Sequence, residues 1–137
     1  MKNPICLALR IDWSEIDAFQ HVNNVAIMKY VQAARVNYLE QVGLMQLQAE
    51  TKIGPILAST GCQFRQPLFY PGQVIINSHV EWIKNTSFKL THQILNDRHE
   101  VAAEAEDIIV FYDFKRNTKL PIPDTIKSAM DQTKEKT

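Results

Sequence analysis

Between Trp13 and Asn24 the chain reads Trp-Ser-Glu-Ile-Asp-Ala-Phe-Gln-His-Val-Asn-Asn. Glu15, Asp17, His21, Asn23 and Asn24 place two carboxylates, an imidazole and two amides within ten residues. A carboxylate in such company can act as general base or nucleophile, and a histidine can move a proton near neutral pH. The stretch ends where the longest helix is predicted to begin. The first N–H groups of a helix have no partner inside it, and its dipole adds partial positive charge there. That combination suits an anion or a developing oxyanion. On residue types alone, a plain reading fits too: Asn23 or Asn24 caps the helix and the acids are solvated.

Other chemistry-bearing residues form no recognisable constellation. His79, His92 and His99 lack metal-ligand spacing. Ser59, Ser78 and Ser87 lack the glycine-flanked elbow of a serine hydrolase. Gly54, Gly61 and Gly72 make no phosphate loop. Cys6 and Cys62 are isolated and read as buried free thiols.

The elements that must position the acidic stretch follow from hydrophobic periodicity. Ile5 to Trp13 reads as a strand, with Ile5, Leu7, Leu9 and Ile11 on one face. From about Asn23 to Val42, Ile27, Val31, Ala34, Tyr38 and Val42 recur at helical spacing. Val36 and Leu39 fall outside that stripe, and Gly43 can end the helix. A helix apolar around so much of its circumference is expected to be wrapped by other structure.

After Gly54-Pro55 the chain reads as strands with turns at Pro71-Gly72, Lys84-Asn85-Thr86 and Asn96-Asp97-Arg98. Val74, Ile76, Ser78, Val80 and Trp82 form one face of a strand, and Phe88, Leu90, His92 and Ile94 form the next. Val101 to Tyr112 is the last long strand, and Asp124 is placed to cap a short terminal helix. The predicted class is α+β: a curved antiparallel sheet of about five strands covered by one long helix. One domain spanning 1–137 is expected, with a frayed polar tail over about 131–137.

The 15 Lys and Arg residues balance 15 Asp and Glu, for zero formal charge with histidines neutral. That balance argues against a general nucleic-acid binder and against electrostatic attraction to a membrane. A hydrophobic content of 45% argues against disorder. No basic-then-apolar leader opens the chain, and no apolar run approaches the ~18 residues of a membrane span. A soluble cytoplasmic protein is expected. Little self-repulsion also favours self-association.

Arg10 to Leu44 resembles the opening of the hotdog-fold acyl-CoA thioesterases, in the branch of 4-hydroxybenzoyl-CoA thioesterase and its bacterial YbgC-like relatives. The matching residues are Trp13, Glu15, Asp17, His21, Val22, Asn23, Asn24, Tyr30, Ala34 and Arg35. Weaker matches are Phe64-Arg65-Gln66-Pro67 and Pro121-Ile122-Pro123. Gln20 stands where the family usually has glycine, Gln32 where glutamate is common, and Ile27 where an aromatic is usual.

The resemblance implies a hotdog fold and hydrolysis of an acyl-CoA to a carboxylic acid and free coenzyme A. It implies Asp17 as nucleophile or general base, with backbone N–H groups near Asn24 and Val25 as oxyanion donors. Glu15, His21 and Asn23 would organise the loop or lie near substrate. Arg65, Lys84, Ser87 and Lys89 would contact coenzyme A, where lysines act as point charges for phosphate. No metal or cofactor is implied beyond coenzyme A as part of the substrate. The functional unit would be a homodimer or a dimer of dimers, with the site between protomers. Alternatives are a catalytically silent acyl-CoA binder and a hotdog hydratase or dehydratase.

Overall fold

The computed structural model describes residues 3–135. Strand β1 (Ile5–Arg10) leads through a single 3-10 turn (Trp13–Glu15) and a loop to helix α1 (Asn24–Gln41). Helix α2 (Leu44–Thr51) follows, then strands β2 (Ile53–Phe64), β3 (Gln73–Ile83), β4 (Ser87–Leu95) and β5 (Val101–Asp113). A two-residue strand β6 (Thr118–Lys119) and helix α3 (Asp124–Asp131) complete the chain. The sheet is antiparallel in the order β1-β3-β4-β5-β2, with β6 added beside β5. This is the expected α+β arrangement, a curled sheet around one long helix.

The strands alternate as a sheet with one covered face must. Val74, Ile76, Ser78 and Val80 of β3 are buried, as are Phe88, Leu90, His92 and Ile94 of β4. Ala103, Ala105, Asp107, Ile109 and Phe111 continue that face on β5. Helix α1 supplies Ala26, Ile27, Tyr30, Val31, Ala34, Tyr38 and Leu39 to the core. It packs on β1, β3 and β4. Strand β2 is left at the sheet edge, with Ile56, Leu57 and Phe64 exposed.

Several details depart from the sequence reading. A register shift between Val80 and Trp82 pairs Trp82 with Lys89, so Trp82 leaves the helix-facing row. Leu39 is buried because α2 packs against α1 and brings Leu44 beside it. Helix α2 carries only Leu44 and Leu47 as apolar packing residues, too few to show a period. Gly43 precedes it at φ +90°, a left-handed conformation that turns the chain between the helices. Asp124 is the first helical residue of α3 and not its cap, which is Pro123. Cys6 is exposed, because it points away from the helix on the edge strand β1.

The expected frayed tail is anchored at Thr133, which is 4% exposed. Its hydroxyl donates to the Met130 carbonyl at 2.7 Å. Its oxygen lies 2.7 Å from the Tyr38 hydroxyl and accepts the Val80 N–H at 3.1 Å. The final residues of that tail, 136–137, lie outside the described residues.

Candidate active site

The loop before α1 is built from local hydrogen bonds. Asp12 caps the 3-10 turn, its carboxylate accepting the Ser14 N–H at 3.0 Å and also the Ser14 hydroxyl. These bonds, helped by Arg10, hold the Asp12 carboxyl below the usual carboxylate range. Glu15 Oε1 reaches back to the Asp12 N–H at 2.7 Å, completing a capping box. The same oxygen accepts the Tyr30 hydroxyl at 2.7 Å, which ties the turn to α1. Burial, then the bond to Glu15, pushes the Tyr30 hydroxyl well above the ordinary tyrosine range.

A bridge between Ile16 and Val22 pinches the loop, and Asp17 donates its N–H to the His21 carbonyl at 2.9 Å. Gln20 donates to the Asp17 carbonyl at 3.1 Å and sits at φ +69°. That left-handed backbone explains why glycine suits this position. Gln20 occupies it without breaking the turn.

Asp17 Oδ1 accepts the Phe19 N–H at 2.9 Å and the His21 N–H at 3.3 Å. Its other oxygen, Oδ2, receives no bond from the described residues. The His21 ring stands edge-on to Phe69, with centroids 5.2 Å apart. Asn23 caps α1, its Oδ1 accepting the Ala26 N–H at 2.7 Å. The N–H groups of Asn24 and Val25 have no acceptor among the described residues, as expected of a helix start.

Asp17, His21, Val22, Asn24, Ile27 and Arg65 line one open groove of about 330 Å³, with Phe64 to Pro67 as its far wall. Arg65 leans on Glu104 at 3.3 Å. The groove thus gathers Asp17, His21, Asn24 and Arg65 from among the residues singled out in the sequence. Glu15 and Asn23 stand behind it as supports.

Lys84, Ser87 and Lys89 lie elsewhere. Strand β3 begins at Gln73, opposite Arg10, and ends at Ile83, opposite Phe88. The turn holding Lys84 is therefore at the far end of the sheet, roughly 30 Å along β3 from the Asp17 end. Lys84 Nζ rests over the Trp82 ring, 4.5 Å from its centroid. Lys89 is held by Glu81 at 2.9 Å and Glu106 at 3.2 Å, and both bonds raise its pKa.

One cluster was not assembled in the sequence reading. Ser78 Oγ lies 2.6 Å from His92 Nδ1, and His92 Nε2 lies 2.7 Å from Asp107 Oδ2. The order matches a serine–histidine–aspartate triad. Their exposures of 1%, 0% and 0% put them out of reach of substrate. Arg35 Nε donates to Asp107 Oδ2 at 3.0 Å, and Thr60 Oγ1 donates to Oδ1 at 2.7 Å. Burial pushes the Asp107 carboxyl up; the bonds from His92, Arg35 and Thr60 outweigh it and bring it to about 2. This is a buried polar network that pins α1 to the sheet. Its signal in the sequence was a serine and a histidine on otherwise apolar strand faces.

Among the described residues no group of three His, Cys, Asp or Glu side chains could hold a metal ion. No helix of the described residues is long and apolar enough to cross a membrane.

Comparison with known proteins defines the class. The PA5185 protein of Pseudomonas aeruginosa strain PAO1 superposes with a TM-score of 0.84 at 21% identity, covering 97% of this chain and 93% of that one. A gentisyl-coenzyme A thioesterase superposes at 0.79 with 24% identity, covering 92% and 99%. These likenesses establish the hotdog fold. The model of the thioesterase-like superfamily matches residues 11–130, and the chain belongs to that family of thioester-hydrolysing enzymes. Among curated relatives, the long-chain acyl-CoA thioesterase FadM of Escherichia coli (strain K12) is 22% identical over 125 residues, 90% of this chain and 95% of that protein.

Proposed function

We propose that this chain hydrolyses an acyl-CoA to a carboxylic acid and free coenzyme A, with Asp17 as nucleophile or general base. The observation that carries the reading is the state of the Asp17 carboxylate. Two backbone N–H groups fix Oδ1, and Oδ2 is left in a groove that begins at a helix N-terminus. The unpartnered N–H groups of Asn24 and Val25 are suited to a tetrahedral oxyanion. One such donor contributes about 3 kcal/mol to transition-state stabilisation where it has been removed in other enzymes. His21 and Asn23 shape the loop, and Glu15 braces it through Tyr30. The names of the relatives, thioesterases acting on long-chain acyl-CoA and gentisyl-coenzyme A, support the substrate class.

The proposed unit is a dimer joined through the β2 edges. An unpaired edge strand with exposed Ile56 and Leu57 is a ready partner for a second copy. An antiparallel pairing about a twofold axis turns the second sheet end for end. It carries the turn holding Lys84 and Ser87 toward the level of the first copy's groove, where Arg65 already lies. Coenzyme A would then meet Arg65 of one copy and Lys84 and Ser87 of the other. Lys89, already held by two carboxylates, is the weakest member of that set. Release of free thiol from a panel of short, long and aromatic acyl-CoAs tests the reading; cleavage of none would overturn it.

A further inference from the structure

We infer that Glu104 tunes the affinity of this enzyme for acyl-CoA by competing with the coenzyme A phosphates for Arg65. The inference rests on the thioesterase reading above and adds a residue that sets KM.

The sheet register puts the two side chains together. Phe64 pairs with Ala103, and Gln63 pairs with Glu104. Ala103 is buried on the helix side, so Gln63 and Glu104 share the outer face. Arg65 follows Gln63 by two residues and is diagonal to Glu104, a separation that a long side chain spans. Its Nη2 donates to Glu104 Oε2 at 3.3 Å. Arg65 also lines the groove that holds Asp17. It therefore stands where the groove opens onto the outer face of the sheet.

The pair is suited to exchange. Neither side chain has another partner among the described residues, and the two are 53% and 42% exposed. An isolated, exposed ion pair of this kind is weak. Water takes up the Glu104 carboxylate once the guanidinium leaves. The other cations of this sheet are held more firmly. Lys89 is gripped by two carboxylates, and Arg35 is paired with a buried one. The backbone at Arg65 is fixed, because the Arg65 and Gln66 N–H groups both donate to the Ala102 carbonyl, at 2.8 and 3.0 Å. The exchange is thus a rotation of one side chain.

A phosphate offers the guanidinium two oxygens in a charge-assisted fork, which a single contact to Glu104 does not match. Arg65 turns from Glu104 to the phosphate as the thioester is seated. Breaking the first pair is subtracted from the binding of the second. Glu106 supplies the control. It lies two residues along the same face of β5, is 61% exposed, and bonds Lys89 at 3.2 Å. Neutralising either carboxylate changes the net charge equally, but only Glu104 touches Arg65.

The test measures KM and kcat for the acyl-CoA that wild type cleaves best, and for the N-acetylcysteamine thioester of the same acyl group, which carries no phosphate. Glu104→Gln should lower KM for the acyl-CoA about twofold to fivefold with kcat unchanged. Arg65→Gln should raise it about tenfold or more. Adding Glu104→Gln to Arg65→Gln should change nothing further, and Glu106→Gln should keep the wild-type KM. None of these variants should move KM for the N-acetylcysteamine thioester. An unchanged or raised KM in Glu104→Gln overturns the inference. So does an equal fall in Glu106→Gln, or an equal fall when Arg65 is already glutamine, since either would show a bulk charge effect. An unchanged acyl-CoA KM in Arg65→Gln removes Arg65 from the substrate and overturns it as well. All of these outcomes leave the thioesterase reading intact. Hydrolysis of neither thioester, nor of any other, overturns that reading and the inference with it.

Discussion

Glu15 Oε1 accepts the Tyr30 hydroxyl at 2.7 Å, fifteen residues away, while the same oxygen holds the Asp12 N–H. This one carboxylate oxygen joins the turn before the Asp17 loop to the second turn of α1. Tyr30 is 3% exposed, so its hydroxyl has little water to fall back on. Glu15→Ala should therefore destabilise more than Tyr30→Phe. Roughly 1–3 kcal/mol is expected for the first, which strands a buried donor, and about 1 kcal/mol for the second. Denaturant titration of both variants checks the order.

Gln20 bears the left-handed backbone of the Asp17 turn at φ +69°. Gln20→Gly should fold at least as stably as wild type, since relief of the backbone offsets the entropy of glycine. Gln20→Val should lose about 1–2 kcal/mol, because a β-branched residue resists that conformation. Thermal melts that ranked valine above glycine would contradict the assignment.

Asp107 should contribute to the acid limb of stability. Its folded-state pKa, about 2, lies below its ordinary value of 3.8. A depressed carboxylate stabilises the fold above the unfolded pKa and loses that contribution as pH falls through the folded one. On the order of 2 kcal/mol should disappear between about pH 5 and pH 2. Asp107→Asn should flatten that part of the profile and cost about 3–5 kcal/mol near neutrality, by stranding Arg35 in a part-buried pair. Urea unfolding at a series of pH values measures both effects.

The proposed dimer predicts twice the chain mass in light scattering at micromolar concentration. Ile56→Asp with Leu57→Asp should shift the population toward monomer, because charges on an edge strand oppose pairing. Thioesterase activity should fall with the dimer. A wild-type protein that stays monomeric would contradict the edge-to-edge arrangement.

Much of this arrangement is legible in the residues themselves. Ile27, Val31, Ala34 and Tyr38 repeat at helical spacing, and α1 stands where they place it. Alternation marked β3 and β4, although the bulge after Val80 moved Trp82 to the other face, which no alternation shows. The loop from Glu15 to Asn24 was legible because its members are neighbours in sequence. The Ser78, His92 and Asp107 row was not, since its members sit fourteen and fifteen residues apart and meet only when three strands align. Arg35 read as part of a helix motif; its partner Asp107 is 72 residues away, a pairing set by tertiary packing. The turn at Lys84 was matched by its position along the chain, whereas strand direction puts it at the far end of the sheet from Asp17.

In the proposed reaction Asp17 carries the hydrolysis. Asp17→Asn keeps an Oδ1 that can accept the Phe19 and His21 N–H groups, so the turn should survive the change. What it removes is the charge on the free oxygen. On the acyl-CoA that wild type cleaves best, kcat for Asp17→Asn should fall by about 10²–10⁴-fold with the thermal melt preserved. A folded Asp17→Asn variant that turns over at the wild-type rate would contradict the account.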